Sequence, residues 1–322
     1  MINLFKKFKG KKIIITGHTG FKGSWLTLWL THLGAKVTGI SDIIPTNPSN
    51  FVANKLEKKV QHLTFDIKNR KKLSSTINKI KPDYIFHLAA QSLVKRSYKN
   101  PVETFETNSI GTLNLLEALR QLKSSKKCSV VIITSDKSYK NLEIKRGYKE
   151  DDILGGYDPY SASKACAELI IQSYINSFLK NNKKLFISVA RAGNVIGGGD
   201  WSQDRLIPDC IRSIQKRKKL KIRFANSTRP WQHVLEALFG YMILAIKQKN
   251  NKNISGNSFN FGPNNKSSLS VIDLVKKFKK NWPILNWELV KSKKKVFESG
   301  LLKLNSDRAL KNLNWRCILN AN

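Results

Sequence analysis

Apolar residues in the first half of the chain come in short unbroken runs, not in alternation with polar ones. Lys12-Ile13-Ile14-Ile15-Thr16, Val37 to Ile40, Asp83-Tyr84-Ile85-Phe86-His87-Leu88 and Val130-Val131-Ile132-Ile133-Thr134 each read as a brief buried strand. A strand apolar on both faces belongs in a sheet covered on both sides. Between these runs lie segments with helical spacing. They are Ser24 to Leu33, Leu73 to Ile80, and Thr107 to Leu122 with Ile110, Leu113, Leu116 and Leu119 in phase. Tyr160 to Leu179 predicts a long helix and Leu185 to Ala190 a further strand. Strand and helix in turn predict an α/β fold with a parallel sheet. Beyond Gly193 the pattern is less regular, with Gly197-Gly198-Gly199 and Arg229-Pro230-Trp231 in loop-rich surroundings. The chain thus divides into a sheet half, 1–190, and a smaller mixed C-terminal part, 191–322, expected to shape a substrate site.

Composition narrows the classes. Of 322 residues, 41% are hydrophobic and 9% aromatic, too many for a disordered polycation. No apolar run reaches the roughly 18 residues of a membrane span, so no membrane partner is expected. The basic start, Met1 to Lys7, is followed only by Ile13-Ile14-Ile15, too short for the apolar core of a signal peptide. Cys128, Cys166, Cys210 and Cys317 lie far apart with no CxxC pair. Neither a disulfide framework nor a metal module is expected, and a reducing cytoplasm fits. Lys and Arg number 58 against 22 Asp and Glu, a net charge of +36. The clusters at Lys216-Arg217-Lys218-Lys219 and Lys291 with Lys293-Lys294-Lys295 form no extended arm and interleave no aromatics. The charge reads as compositional bias on solvated faces, compatible with an anionic small ligand, and no nucleic-acid partner is expected.

Two constellations carry chemistry. Gly17-His18-Thr19-Gly20-Phe21-Lys22-Gly23 follows a strand and opens a helix, with glycines three apart. Glycine permits the tight turn and a close backbone approach, and the helix N-terminus offers free amides to a pyrophosphate. Asp42, 22 residues after Gly20 at the end of the second strand, can take the ribose hydroxyls of NAD. Further on, Tyr160-Ser161-Ala162-Ser163-Lys164 puts Tyr and Lys on one helix face. A lysine ammonium stabilises a neighbouring phenolate, and together they can take a proton from an alcohol.

These features resemble the short-chain dehydrogenase/reductases, a Rossmann-type doubly wound parallel sheet, and their extended branch acting on nucleotide sugars. The likeness narrows further along the chain. Thr16-Gly17-His18-Thr19-Gly20-Phe21-Lys22-Gly23-Ser24-Trp25-Leu26, His87-Leu88-Ala89-Ala90-Gln91 and Thr134-Ser135-Asp136-Lys137 are similar to the CDP-glucose 4,6-dehydratases. So are Gly155-Gly156-Tyr157-Asp158-Pro159-Tyr160, Arg191 to Trp201 and Arg229 to Glu236. Ser135-Asp136-Lys137 separates a dehydratase from a plain oxidoreductase or epimerase, since loss of water needs an acid for the C6 hydroxyl and a base for the C5 proton.

The resemblance implies NAD as cofactor and a nucleotide sugar, CDP-glucose, as substrate. It implies catalytic roles for Ser135, Asp136, Lys137, Tyr160 and Lys164. Tyr160 would take the C4 hydroxyl proton with Ser135 on the same oxygen. Lys164 would hold the Tyr160 pKa down. Asp136 is the candidate acid at C6 and Lys137 the candidate base at C5, with the order of their proton roles left open. Cofactor contacts are implied at Gly17, Thr19, Gly20, Phe21, Lys22, Gly23, Asp42, Asp66, Ile67, Leu88, Ala89 and Ala90, with Tyr160 and Lys164. Substrate contacts are implied at Gln91, Asn194, Arg205, Arg229 and His233. A homodimer on the long helices is implied as well. A different nucleotide-sugar dehydratase or epimerase of the same branch, or a non-catalytic NAD-binding protein, stands as the alternative. Two departures stand out. The family pattern has Leu-Asp-x-Pro-Thr, whereas here Asp42-Ile43-Ile44 precedes Pro45-Thr46, so the acid is displaced by one position. Family members also continue for a few dozen residues past the stretch matching Leu304 to Trp315, which leads to an expectation of lower stability.

Overall fold

The computed structural model describes residues 2–249, 251–263, 269–290 and 300–319. Its centre is a seven-stranded sheet, parallel throughout. Six strands come in chain order: β1 (Lys12–Thr16), β2 (Lys36–Ser41), β3 (Gln61–Thr64), β4 (Tyr84–His87), β5 (Cys128–Ile133) and β6 (Leu185–Ala192). The seventh, Ser258–Phe261, lies beside β6. Across the sheet the order is β3-β2-β1-β4-β5-β6 and then this last strand. The chain therefore reverses direction between β1 and β4. In a doubly wound sheet the crevice beyond the strand ends at that point is where ligands bind.

The pleat sorts each strand's side chains onto two cores. Ile13, Ile15, Tyr84, Phe86, Val131 and Ile133 face one side, with helices Phe21–His32 and Val234–Gln248 packed over them. Ile14, Ile85, Val130 and Ile132 face the other, under helices Arg70–Ile80, Gly111–Arg120 and Pro159–Tyr174. Both faces are apolar because both are covered, which is the physical content of the unbroken runs.

The sheet does not respect a division at residue 190. Helix Val234–Gln248 belongs to the first core, and Ser258–Phe261 completes the sheet by pairing Phe259 with Ala190. The second half thus lends a helix and a strand to the sheet body, and the strand pairs along the outer edge of β6. What remains outside is small. Leu220–Ile222 pairs with Trp287–Leu289 around Cys210, Val275 and Leu285. Val195–Ile196 pairs with Gln232–His233, and Thr228–Arg229 with Leu269–Ser270.

Candidate active site

The glycine turn sits at the C-terminal end of β1, at the switch point. Gly17 has φ +72°, and a Cβ there would stand 2.7 Å from the Ala89 amide nitrogen. A Cβ on Gly23 would lie 2.0 Å from the Gly17 carbonyl oxygen. Only glycine permits this packing of the turn against its own helix and against the segment after β4. Gly20 caps helix Phe21–His32, and its carbonyl accepts the Ser24 amide at 2.8 Å. The amides of Phe21, Lys22 and Gly23 precede that first helical bond, and a Cβ on Gly20 would meet nothing closer than 3.4 Å. This is an open cradle of donors at a positive helix end, suited to a pyrophosphate.

The walls of the cradle are tied down from below. Thr19 Oγ1 donates to the Ile43 carbonyl at 2.6 Å, and Ala89 N donates to Thr16 Oγ1 at 3.2 Å. Asp42 lies just past β2, exposed, accepting the Ile43 amide at 2.9 Å. Asp66 accepts the Lys68 amide at 2.8 Å, and Ile67 is buried beneath Gly111. Leu88, Ala89 and Ala90 are half-buried at the β4 end. His18 was not singled out from sequence, yet it anchors the turn. Its ring is fully buried, 3.0 Å from Ser41 Oγ and 2.7 Å from His62 Nδ1. Burial and the neighbouring His62 lower its pKa to about 4.

The second half of the site is carried by helix Pro159–Tyr174. Asp158 caps it, accepting the Ser161 amide at 3.0 Å, and Pro159 occupies the first helical position. Tyr160, Lys164 and Glu168 follow at four-residue intervals, all buried and on one face. Ser135 Oγ donates to Asp136 Oδ1 at 3.0 Å and accepts the Lys137 amide at 3.2 Å, and its hydroxyl acts on the Tyr160 phenol. Asp136 is 3% exposed, and its Oδ2 is buried without a hydrogen-bond partner. Burial raises its pKa, against the opposing pull of Lys137, Ser135, Arg229 and Lys22. A buried carboxyl of this kind is poised to hold a proton. Lys137 is half-buried beside Gly156, Tyr157 and Asp158.

Tyr160 departs from the expectation that Lys164 holds its pKa down. Burial raises it to about 12, and the strongest opposing effects come from the Ser135 hydrogen bond and the charge of Arg205. Lys164 turns its Nζ to the Ile133 carbonyl at 3.3 Å, and burial lowers its pKa to about 8. The physical reason is dryness: burial of the phenol outweighs what the Ser135 hydroxyl and the Arg205 charge offset.

The other expected contacts separate into two groups. Arg205 and Arg229 act on the catalytic cluster, Arg205 on Tyr160 and Lys22, Arg229 on Asp136. Asn194 lends its carbonyl to the Gln232 amide at 3.1 Å. Gln91 instead spends its side chain on the fold: Oε1 accepts the Leu93 amide at 2.7 Å, and Nε2 donates to Leu93 O and Thr104 Oγ1. His233 caps helix Val234–Gln248, its Nδ1 accepting the Leu235 amide at 3.3 Å. Two features were invisible beforehand. Lys22, expected at the cofactor, sends its Nζ 3.3 Å from the hydroxyl of fully buried Tyr241, and the charges of Asp136 and Lys164 act on it. Tyr241 sits in the apolar helix Val234–Gln248, where an aromatic reads as core packing.

The chain is 44% identical over 313 residues to the CDP-glucose 4,6-dehydratase of Salmonella typhimurium, covering 96% of this chain and 86% of that one. Among solved structures, an epimerase from Methanothermobacter thermautotrophicus superposes with a TM-score of 0.82 at 22% identity, covering 98% of this chain and 90% of that one. The dTDP-glucose 4,6-dehydratase of Bacillus anthracis, solved in complex with NAD, gives 0.80 at 20% identity, covering 97% and 93%. These two likenesses speak to the fold. The family profile described as GDP-mannose 4,6 dehydratase matches residues 14–319, and on that span and the Salmonella relative the chain belongs to this family of nucleotide-sugar dehydratases.

Proposed function

We propose that the protein is a CDP-glucose 4,6-dehydratase, converting CDP-glucose to CDP-4-keto-6-deoxyglucose and water. The observation that carries this reading is the near-full-length similarity to the Salmonella enzyme, joined to buried Ser135 and Asp136, with half-buried Lys137 after them, beside Tyr160. The turn at Gly17–Gly23 fits NAD, because its open donor cradle and its glycine-only contacts leave room for a pyrophosphate. Bound there, NAD supplies a hydride acceptor at C4 and a donor at C6. Phe21 to Gly23 would hold its phosphates, and Asp42 would take its ribose.

The side chains divide the remaining work. Tyr160 takes the C4 hydroxyl proton, with Ser135 hydrogen-bonding the same oxygen. Once C4 is a ketone, C5–H is acidic, because the resulting carbanion is an enolate. Asp136, whose pKa burial raises, gives its proton to the departing C6 hydroxyl. Lys137 takes the C5 proton and gives a proton back to C5 when C6 is reduced, so the product carries hydrogen at both carbons. Arg205 and Arg229 supply the cationic surroundings for the CDP pyrophosphate, with guanidinium forks matched to phosphate oxygens.

Purified protein should convert CDP-glucose to a product lighter by one water, read by mass, in preference to dTDP-, UDP- and GDP-glucose. No product from CDP-glucose with NAD bound would overturn the reading. Tyr160→Phe should abolish turnover while cofactor stays bound.

The homodimer belongs to the same proposal. Val102 is 69% exposed and Leu169 57%, and Phe105 and Ile110 are exposed beside them on helix Pro101–Phe105 and the following turn. An apolar face on the helices that flank Tyr160 suits a self-complementary contact. Charge introduced there, as Val102→Lys with Leu169→Lys, should halve the mass measured by light scattering. No helix among the described residues is long and apolar enough to cross a membrane.

A further inference from the structure

Behind the catalytic segment lies a buried ion pair that the mechanism above does not use. Arg191 on β6 and Glu168 on helix Pro159–Tyr174 are 0% exposed. Arg191 Nε donates to Glu168 Oε1 at 2.7 Å and Oε2 at 2.9 Å, and Nη2 also reaches Oε2. A buried pair of this kind is weak support for stability as such, since apolar side chains of like volume often serve as well. Its other contacts are what single it out. Glu168 Oε1 accepts from Thr134 Oγ1 at 2.6 Å and from Ser138 Oγ at 3.0 Å. Those two residues bracket Ser135-Asp136-Lys137. Ser138 Oγ is also 2.7 Å from the Ser135 carbonyl oxygen. Arg191 Nη1 donates to Tyr139 Oη at 2.7 Å and to the Glu150 carbonyl at 2.9 Å, with its guanidinium 4.7 Å from the Tyr139 ring centre.

We propose that the Glu168–Arg191 pair is a positioning unit that fixes the Ser135–Lys137 segment in register with Tyr160 and Lys164. Glu168 is four residues past Lys164 and eight past Tyr160, so one helix face carries the phenol, the ammonium and the clamp. The clamp grips both ends of the segment that supplies the acid and the base. A hydrocarbon filler in place of the pair would keep the core full but would take the Glu168 acceptor from Thr134 and leave Ser138 only the Ser135 carbonyl. Glu168 has a second influence: its charge favours the protonated form of Lys164, four residues away.

The inference rests on the dehydratase reading, and the experiment separates the two. Thr134→Val with Ser138→Ala removes the two hydroxyl links and leaves the ion pair whole. Glu168→Gln removes the charge. For each, kcat and KM on CDP-glucose, the thermal midpoint and amide hydrogen exchange by peptide are measured. Expected is a fall in kcat of about tenfold to a hundredfold, as for small misplacements of reacting groups. KM should stay within about twofold, which separates the step from binding. Exchange should quicken at 134–139 while Ser258–Phe261 stays protected. Expected also is a kcat–pH profile whose alkaline limb moves to lower pH in Glu168→Gln, since Lys164 then loses its proton sooner. Wild-type kcat in the folded double variant, or loosening spread evenly over the sheet, overturns the inference. A wild-type protein that makes no dehydrated product defeats the dehydratase reading instead, and the exchange pattern then still decides the clamp. Should Glu168→Gln not fold, the double variant carries the test alone.

Discussion

Asp136 shows how a site uses an uncomfortable residue. Its Oδ2 is buried and unpartnered, and burial pushes its pKa up. A carboxylate in that place would be costly, whereas a carboxylic acid is tolerable and useful as a donor. Asp136→Asn keeps the shape and removes the proton. We expect the dehydrated product to fall by about 10²- to 10⁴-fold, the usual worth of a general acid, with the thermal midpoint unchanged. Two histidines make an opposite statement. His18 and His87 are held neutral, with pKa values lowered to about 4 and about 3, chiefly by burial. Unfolded, each would titrate near its ordinary value of about 6.5. The unfolded chain therefore binds more protons between those limits. Stability is fully present above about pH 6.5 and is lost as pH falls towards the folded values. Each histidine should remove about 2 kcal/mol by pH 5. Urea unfolding at pH 5 and pH 7.5 measures this, and a flat response would contradict it.

Elements rather than residues explain why the glycine turn is so exacting. A Cβ on Gly23 would fall 2.0 Å from the Gly17 carbonyl, backbone against backbone, with no flexible side chain to yield. Gly23→Ala should therefore shift helix Phe21–His32 off its turn, cost about 1–3 kcal/mol in stability and abolish NAD retention. Gly20→Ala, with its nearest atom 3.4 Å away, should fold normally. Comparing thermal midpoints and bound NAD for the two variants checks both halves. Such turns were legible in the sequence because their chemistry is local: glycine spacing, a strand before and a helix after. The same holds for β1, β4 and β5, whose apolar runs are self-contained. Strand β3, Gln61-His62-Leu63-Thr64, was not legible. It is a polar edge strand without the two-faced pattern. Ser258–Phe261 was missed because only β6, far away in the chain, makes it a strand. The site divides in the same way. Tyr160, Lys164 and the Ser135 segment show in short motifs, whereas Lys22 with Tyr241 and Glu168 with Arg191 meet only through packing.

At the scale of the molecule, a net charge of +36 surrounds a site meant for an anionic nucleotide sugar. Long-range attraction of this sign speeds encounter and is screened by salt, since the Debye length shrinks from about 30 Å at 0.01 M to about 8 Å at 0.15 M. Across that range kcat/KM should fall severalfold while kcat holds, and steady-state rates at the two salt concentrations test it. The whole chain also has an order of assembly written into it. On the ribosome, β1 to β6 emerge first, and the outer edge of β6 stays bare until Ser258–Phe261 has been synthesised. About a third of one core, from Val234 to Ile246, is likewise still to come. A nascent chain paused near residue 190 would thus hold an unpaired hydrophobic strand open to other chains. A fragment ending there should aggregate, and one reaching past Phe261 should not. Delivery of the late strand, more than completion of the cofactor half, marks the moment at which this protein becomes safe to leave unattended.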